Sequence, residues 1–66
     1  MHVIINGEAQ TLSAGLTVAD LISQLGLSQR RVAVEMNREI VAREHYGDRV
    51  LREGDQVEIV HFVGGG

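Results

Sequence analysis

The sequence predicts an α+β domain in which one helix packs across a mixed sheet of four to five strands. Three observations support this: a hairpin signal near the start, one capped amphipathic helix, and two-residue alternation of apolar positions further along. With 66 residues the chain has room for one small core. We therefore expect a single domain over residues 1–63, followed by a flexible tail of three glycines at 64–66.

The first twelve residues are predicted to form a β-hairpin. Met1, Val3 and Ile5 alternate with positions expected to face the other side of the strand. Asn6-Gly7 favours a type I′ turn, because both central residues of that turn need a positive φ. Residues 8–12 would then run back as the second strand.

A short helix is predicted to follow Thr17. Thr17 is a suitable N-cap, and Asp20 lies three residues later, as in a capping box. Gly26 is placed to end the helix in the left-handed conformation. The apolar positions fall at helical spacing and are predicted to form one apolar stripe: Val18, Leu21, Ile22 and Leu25.

The second half of the chain is predicted to add a third strand at residues 31–37, a short strand at 40–41 and a last strand at 56–63. Residues 42–54 are polar and are predicted to cross irregularly, with Val50 and Leu51 anchoring them to the core. A last strand lying parallel to the first would make a β-grasp, the ubiquitin-like fold. A ferredoxin-like arrangement fits less well, because it needs a second helix.

The last strand is predicted to carry a docking patch for a partner protein. If Val57 and Ile59 face the helix, then Glu58, Val60 and Phe62 face outward. Exposed apolar side chains on a small protein tend to mark an interface. Two alternatives remain: a neighbouring side chain such as that of Ile4 covers the patch, or the strand has the opposite register.

Composition excludes several other functions. The formal charge is −3, with scattered acidic residues, whereas a nucleic-acid-binding protein would show a basic face. There is no cysteine, so no thiol can carry sulfur or bind metal. His2, His45 and His61 lack metal-ligand spacing, and no nucleophile and base are paired. We expect no enzyme active site and no bound metal, and we expect a cytoplasmic location, since the start does not resemble a signal peptide.

The glycine tail is the remaining candidate for chemistry. Gly64, Gly65 and Gly66 have no side chains, so the tail would fit a narrow channel. Its end would present the α-carboxylate of Gly66, which is ionised at neutral pH. The alternative is that the tail is an idle flexible end.

Over its whole length the sequence resembles the sulfur carrier proteins of thiamine biosynthesis, a small ubiquitin-like β-grasp family. The resemblance depends on an ordered set of short motifs rather than on any one of them. These are Asn6-Gly7, Thr17-Val18-Ala19-Asp20-Leu21-Ile22, Val32-Ala33-Val34-Glu35-Met36-Asn37, Ile40-Val41, Arg43, Gly54-Asp55-Gln56-Val57-Glu58-Ile59-Val60 and Val63-Gly64-Gly65-Gly66.

The resemblance implies a protein co-substrate rather than an enzyme. An adenylating enzyme would use ATP to activate the Gly66 carboxylate, and a sulfur donor such as a cysteine desulfurase would then give a thiocarboxylate. Thiazole synthase would take the sulfur for the thiazole of thiamine. Gly64 and Gly65 would thread the terminus into these partners, and the chain itself would hold no cofactor.

Three other functions stay open from the sequence. The chain would also fit a sulfur carrier for molybdopterin or another sulfur-requiring pathway. A β-grasp binding module with an idle tail belongs to a different class, and a ubiquitin-like modifier joined to target lysines is a further variant.

Overall fold

Five strands form one mixed sheet in the order β2-β1-β5-β3-β4. The computed structural model describes residues 1–62. The strands are β1 (His2–Ile5), β2 (Glu8–Thr11), β3 (Val32–Met36), β4 (Glu39–Val41) and β5 (Gln56–His61). β5 runs parallel to β1 and antiparallel to β3. With one helix on the sheet, this is the predicted β-grasp, and the last strand is its middle strand.

Both hairpins turn through residues in the left-handed conformation. Asn6 and Gly7 have φ values of 49° and 83°, as a type I′ turn requires, so the predicted β1–β2 turn is confirmed. Asn37 and Arg38, between β3 and β4, have φ values of 53° and 71°. Arg38 thus stands where such a turn normally has glycine, at a cost in backbone energy.

The helix α1 spans Val18–Gln24 and begins with the predicted capping box. The backbone N–H of Asp20 donates to Oγ1 of Thr17 at 3.1 Å, and the N–H of Thr17 donates to Oδ2 of Asp20 at 3.0 Å. These two bonds satisfy groups that the first turn of a helix leaves without partners, so they fix the start of α1.

The end of α1 is also as predicted, except at Leu25. Gly26 is left-handed, with φ 73°, and the N–H of Leu27 donates to the carbonyl of Ile22 at 3.1 Å. This is a Schellman motif, with Leu27 folded back against the core. Leu25, however, is the C-cap residue and 47% exposed, so the part of the apolar stripe that is buried ends at Ile22.

The core lies between α1 and one face of the sheet. Its buried residues are Val3, Ile5, Val18, Leu21, Ile22, Val32, Val34, Met36, Val41, Tyr46, Leu51, Val57 and Ile59. No helix within residues 1–62 is both long and apolar enough to cross a membrane.

The crossing at residues 42–54 is anchored mainly by Tyr46. This side chain is buried, and its hydroxyl donates to the carbonyl of Val32 at 3.3 Å. Leu51 is buried as predicted, whereas Val50 is 41% exposed and anchors through its backbone, in a bridge to Thr17. The crossing is also less irregular than predicted, because Arg43–His45 forms one turn of 3-10 helix.

Glu53 ties the crossing to the first strand, and this contact depends on pH. Its carboxylate accepts the backbone N–H of His2 at 2.9 Å and lies 3.2 Å from Nδ1 of the same residue. These hydrogen bonds from His2, the backbone one first, hold the pKa of Glu53 below its ordinary value. A carboxylate with a lowered pKa stabilises the fold above its ordinary pKa and loses that effect as the pH falls through the lowered one.

We therefore expect Glu53→Gln to lower the urea midpoint at neutral pH and to have little effect in acid. The measurement is a series of urea titrations of both proteins from neutral pH down to about pH 2, which spans the titration of carboxylates. A difference between the two midpoints that stayed constant over this range would contradict the expected pH dependence.

Candidate functional site

The carboxyl end of β5 is held on both sides by hydrogen bonds. On one side, the Asn6 side chain continues the ladder where β1 ends: its Oδ1 accepts the N–H of Ile59 at 2.7 Å, and its Nδ2 donates to the Ile59 carbonyl at 3.2 Å. On the other side, the N–H of Phe62 donates to the carbonyl of Arg31 at 2.7 Å. The position and direction in which the chain reaches residue 62 are therefore fixed by the fold.

The sheet has an outer face, opposite α1, on which the predicted docking residues lie. In β5, Val57 and Ile59 are 1% and 8% exposed, whereas Val60 is 56% exposed, so the predicted orientation of the strand is confirmed. Phe62 follows the strand and is 50% exposed. Ile4 is itself 38% exposed and leaves Val60 accessible. The docking role of Val60 and Phe62 stays a prediction.

Two carboxylates oppose each other in the middle of this outer face. Glu35 of β3 pairs directly with Glu58 of β5, and both residues are exposed. The two glutamates line one groove together with Arg38, Gln56 and Val60. Like charges directly opposite in an antiparallel pair destabilise a sheet. Among residues 1–62, the ion pairs shorter than 4.0 Å are His2–Glu53 and His45–Asp48, so neither glutamate is neutralised there.

Two of the three histidines each contact one carboxylate. His2 contacts Glu53, and Nδ1 of His45 lies 3.6 Å from Oδ1 of Asp48, with both partners well exposed. His61 ends β5, opposite Val32. Within the part of the chain that the structure describes, no three His, Asp or Glu side chains are grouped as metal ligands would be.

The predicted tail residues Gly64, Gly65 and Gly66, with Val63 before them, lie outside the described residues. Their roles in threading and modification stay predictions. What the structure adds is their point of attachment, since Phe62 stands at the end of the middle strand, beside Val60.

Sequence reasoning did not find the contact between Asn6 and Ile59. Asn6 was recognised as a turn residue, and nothing in a turn motif shows that its amide also holds a strand 53 positions away. The side chain of Asn37 makes a similar contact with β5. Its Oδ1 accepts the backbone N–H of Gln56, the first residue of β5, at 3.0 Å. Both turns therefore hold the same strand, one at its first residue and one in its second half.

We expect Asn6→Gly to destabilise the protein by about 1–3 kcal/mol, because two partly buried backbone groups of Ile59 lose their partners. Glycine tolerates the positive φ, so the turn itself is preserved. The measurement is the free energy of unfolding from urea titrations. The dependence of this free energy on urea concentration should be the same in the variant and the wild type. Asn37→Gly is the matched control, because its hydrogen bonds are exposed to solvent and their loss is expected to cost less. Equal losses of stability in the two variants would contradict a special role for Asn6.

Comparison with known proteins begins with families. The family model described as "ThiS family" matches residues 3–66 of this chain. The match therefore includes all of β2 to β5, β1 from Val3 onward, and the glycine tail.

Individual relatives are of two kinds. A protein named "Sulfur carrier protein ThiS" from Escherichia coli is 33% identical over 66 residues, which is the whole of both chains. A protein named "Thiazole synthase" from Paramagnetospirillum magneticum is 47% identical over 66 residues, and so is one from Magnetococcus marinus. The chain spans only 20% of the length of these two synthases.

Among solved structures, the crystal structure of a thiamine biosynthesis protein (ThiS) from Geobacter metallireducens is similar. It superposes with a TM-score of 0.84 at 36% sequence identity, over the full length of both chains. The likeness therefore covers the fold as well as the sequence.

Proposed function

Because the chain belongs to the ThiS family of thiamine-biosynthesis sulfur carriers, we propose that the α-carboxylate of Gly66 is the group that carries the sulfur. The observation that carries this proposal is the family match over residues 3–66, which includes the tail. The fold supports it, because β5 delivers the chain to Phe62 at a fixed point beside an exposed apolar patch.

The chemistry starts from an unreactive group. An ionised carboxylate is a poor electrophile, so an ATP-dependent adenylating enzyme first joins it to AMP and releases pyrophosphate. The outer sulfur of a persulfide, such as one formed by a cysteine desulfurase, then attacks the acyl carbon, and AMP leaves. A thiol cleaves the resulting S–S bond and releases the thiocarboxylate on Gly66.

The chain acts here as a co-substrate in the cytoplasm, and catalysis belongs to its partners. Gly64 and Gly65 let the terminus enter a narrow active site, because a glycine backbone needs no room for a side chain. Val60 and Phe62 dock the body of the protein so that the terminus is held near the reacting groups, which replaces a bimolecular encounter by a positioned one. The chain itself binds no cofactor, and the ATP is bound by the adenylating enzyme.

The proposed acceptor of the sulfur is thiazole synthase. Two relatives at 47% identity are named for that enzyme, and this chain matches a fifth of each. A domain that shares a polypeptide with the synthase in those bacteria is well suited to serve the same enzyme as a separate chain.

The test is an intact-mass measurement. With the adenylating enzyme, ATP and a persulfide donor, we expect the mass of the protein to rise by the exchange of one oxygen for one sulfur. Fragmentation should place the change on Gly66. A chain lacking Gly66 is the control and should not change, so equal modification of the truncated chain would refute the proposal.

A further inference from the structure

We propose, on the basis of the sulfur-carrier function above, that Glu35, Glu58 and Arg38 form an ionic end of the outer face that selects thiazole synthase. The synthase surface that fits it carries an arginine or lysine against the two glutamates and a carboxylate against Arg38. These three residues are distinct from the apolar patch of Val60 and Phe62.

The first observation is that Glu35 and Glu58 lie directly opposite each other on neighbouring strands. No ion pair within residues 1–62 offsets their charge. Stability alone would favour an opposite or neutral pair at this position. A cationic side chain of a partner, placed between the two carboxylates, would remove the repulsion. The complex would therefore have a compensating charge that the free domain lacks.

The second observation is the conformation of Arg38. It has φ 71° in a turn that favours glycine, and it follows Asn37, which already suits the first position. A side chain kept in a strained backbone conformation is a reason to look for a function. Arg38 lines the same groove as Glu35 and Glu58, so both unfavourable features occur at one place.

The third observation is the continuity of this groove with the apolar patch. Val60 belongs to both, since it lines the groove and is 56% exposed beside the end of β5. Phe62 comes four positions after Glu58, or roughly 13 Å along an extended chain. A partner that contacts both the ionic end and the apolar patch is therefore held in one orientation, as well as in one position, relative to Phe62.

Charges at the edge of an apolar interface mainly determine which partner binds and how fast. A surface with acidic groups facing the two glutamates would be rejected by like-charge repulsion. The synthase is the favoured occupant because it is the partner for which two 47% identical relatives are named.

The experiment measures binding of the full chain to purified thiazole synthase by titration calorimetry, at low and at high salt. Two variants are compared with the wild type: Arg38→Gly, and the double variant Glu35→Gln with Glu58→Gln. We expect each to raise the dissociation constant about tenfold at low salt, with a smaller difference at high salt. We also expect each to raise the urea midpoint, because strain or repulsion is relieved. The control is Glu44→Gln. Glu44 is an exposed acidic residue in the 3-10 turn, which is not part of the outer face.

Thiocarboxylate formation on Gly66 is measured on the same variants by intact mass, and it should stay at the wild-type rate. If the variants bind the synthase with dissociation constants within twofold of the wild type at low salt, the proposed role of the ionic end is wrong. Thiocarboxylate formation at the wild-type rate in the same variants would still support the carrier function. Loss of thiocarboxylate formation with unchanged synthase binding would also overturn the proposed role, because the ionic end would then serve the adenylating enzyme. If the wild type itself forms no thiocarboxylate, the carrier function fails instead.

Discussion

Replacement of Gly65 by valine is expected to slow thiocarboxylate formation at Gly66 roughly 100-fold, since small misplacements of a reacting group cost about that much. A branched side chain next to the terminus would meet the walls of a channel that suits glycine. Gly65 comes four positions after β5 ends at His61, so no effect on the fold of residues 1–62 is expected. The measurement is the initial rate of the mass change with the adenylating enzyme, ATP and a persulfide donor.

The matched control for this variant is Gly47→Val. At Gly47 the φ angle is not in the left-handed region, and an added Cβ would meet no atom within 4 Å. The control should therefore be modified at the wild-type rate. If Gly65→Val were also modified at that rate, threading through a narrow channel would be the wrong explanation for the glycines.

The variant Val60→Asp is expected to weaken binding to thiazole synthase by about 2–4 kcal/mol, or roughly 30- to 700-fold in dissociation constant. A carboxylate buried at the centre of an apolar contact without a partner is costly to desolvate. In the free protein Val60 is 56% exposed, so the urea midpoint should change little. Calorimetry gives the first quantity and urea unfolding the second.

Leu25→Asp provides the comparison for Val60→Asp. Leu25 is 47% exposed, much like Val60, but it caps α1 on the other side of the sheet. Binding should not change in this control. An equal loss of affinity in both variants would show that added negative charge, and not the outer face, is responsible.

Local sequence signals predicted much of this fold. Both ends of α1 were predicted from Thr17, Asp20 and Gly26, because caps are made by residues close in sequence. The β1–β2 hairpin was predicted from Asn6-Gly7 for the same reason. The parallel pairing of the last strand with the first could be predicted from the order of the elements and from the general preference for packing a helix across a sheet.

Features that depend on distant residues were not predicted. Tyr46 belongs to a stretch that the sequence predicts to be polar and irregular, and its burial is seen only when the crossing lies over the core. Leu25 fits a helical stripe by spacing, but α1 ends before it can turn inward. The opposition of Glu35 and Glu58 requires the register of two strands 23 positions apart, which alternation alone does not supply.

The position of β5 has a consequence for how the protein is made. β5 is the last of the five strands to be synthesised, yet it lies between the β1–β2 hairpin and the β3–β4 hairpin. Until it emerges from the ribosome, each hairpin has an unpaired inner edge, and such edges invite aggregation. Because non-local pairing is slow, this final insertion is expected to set the folding rate. A nascent chain therefore completes its sheet only when the strand that precedes the tail has been made.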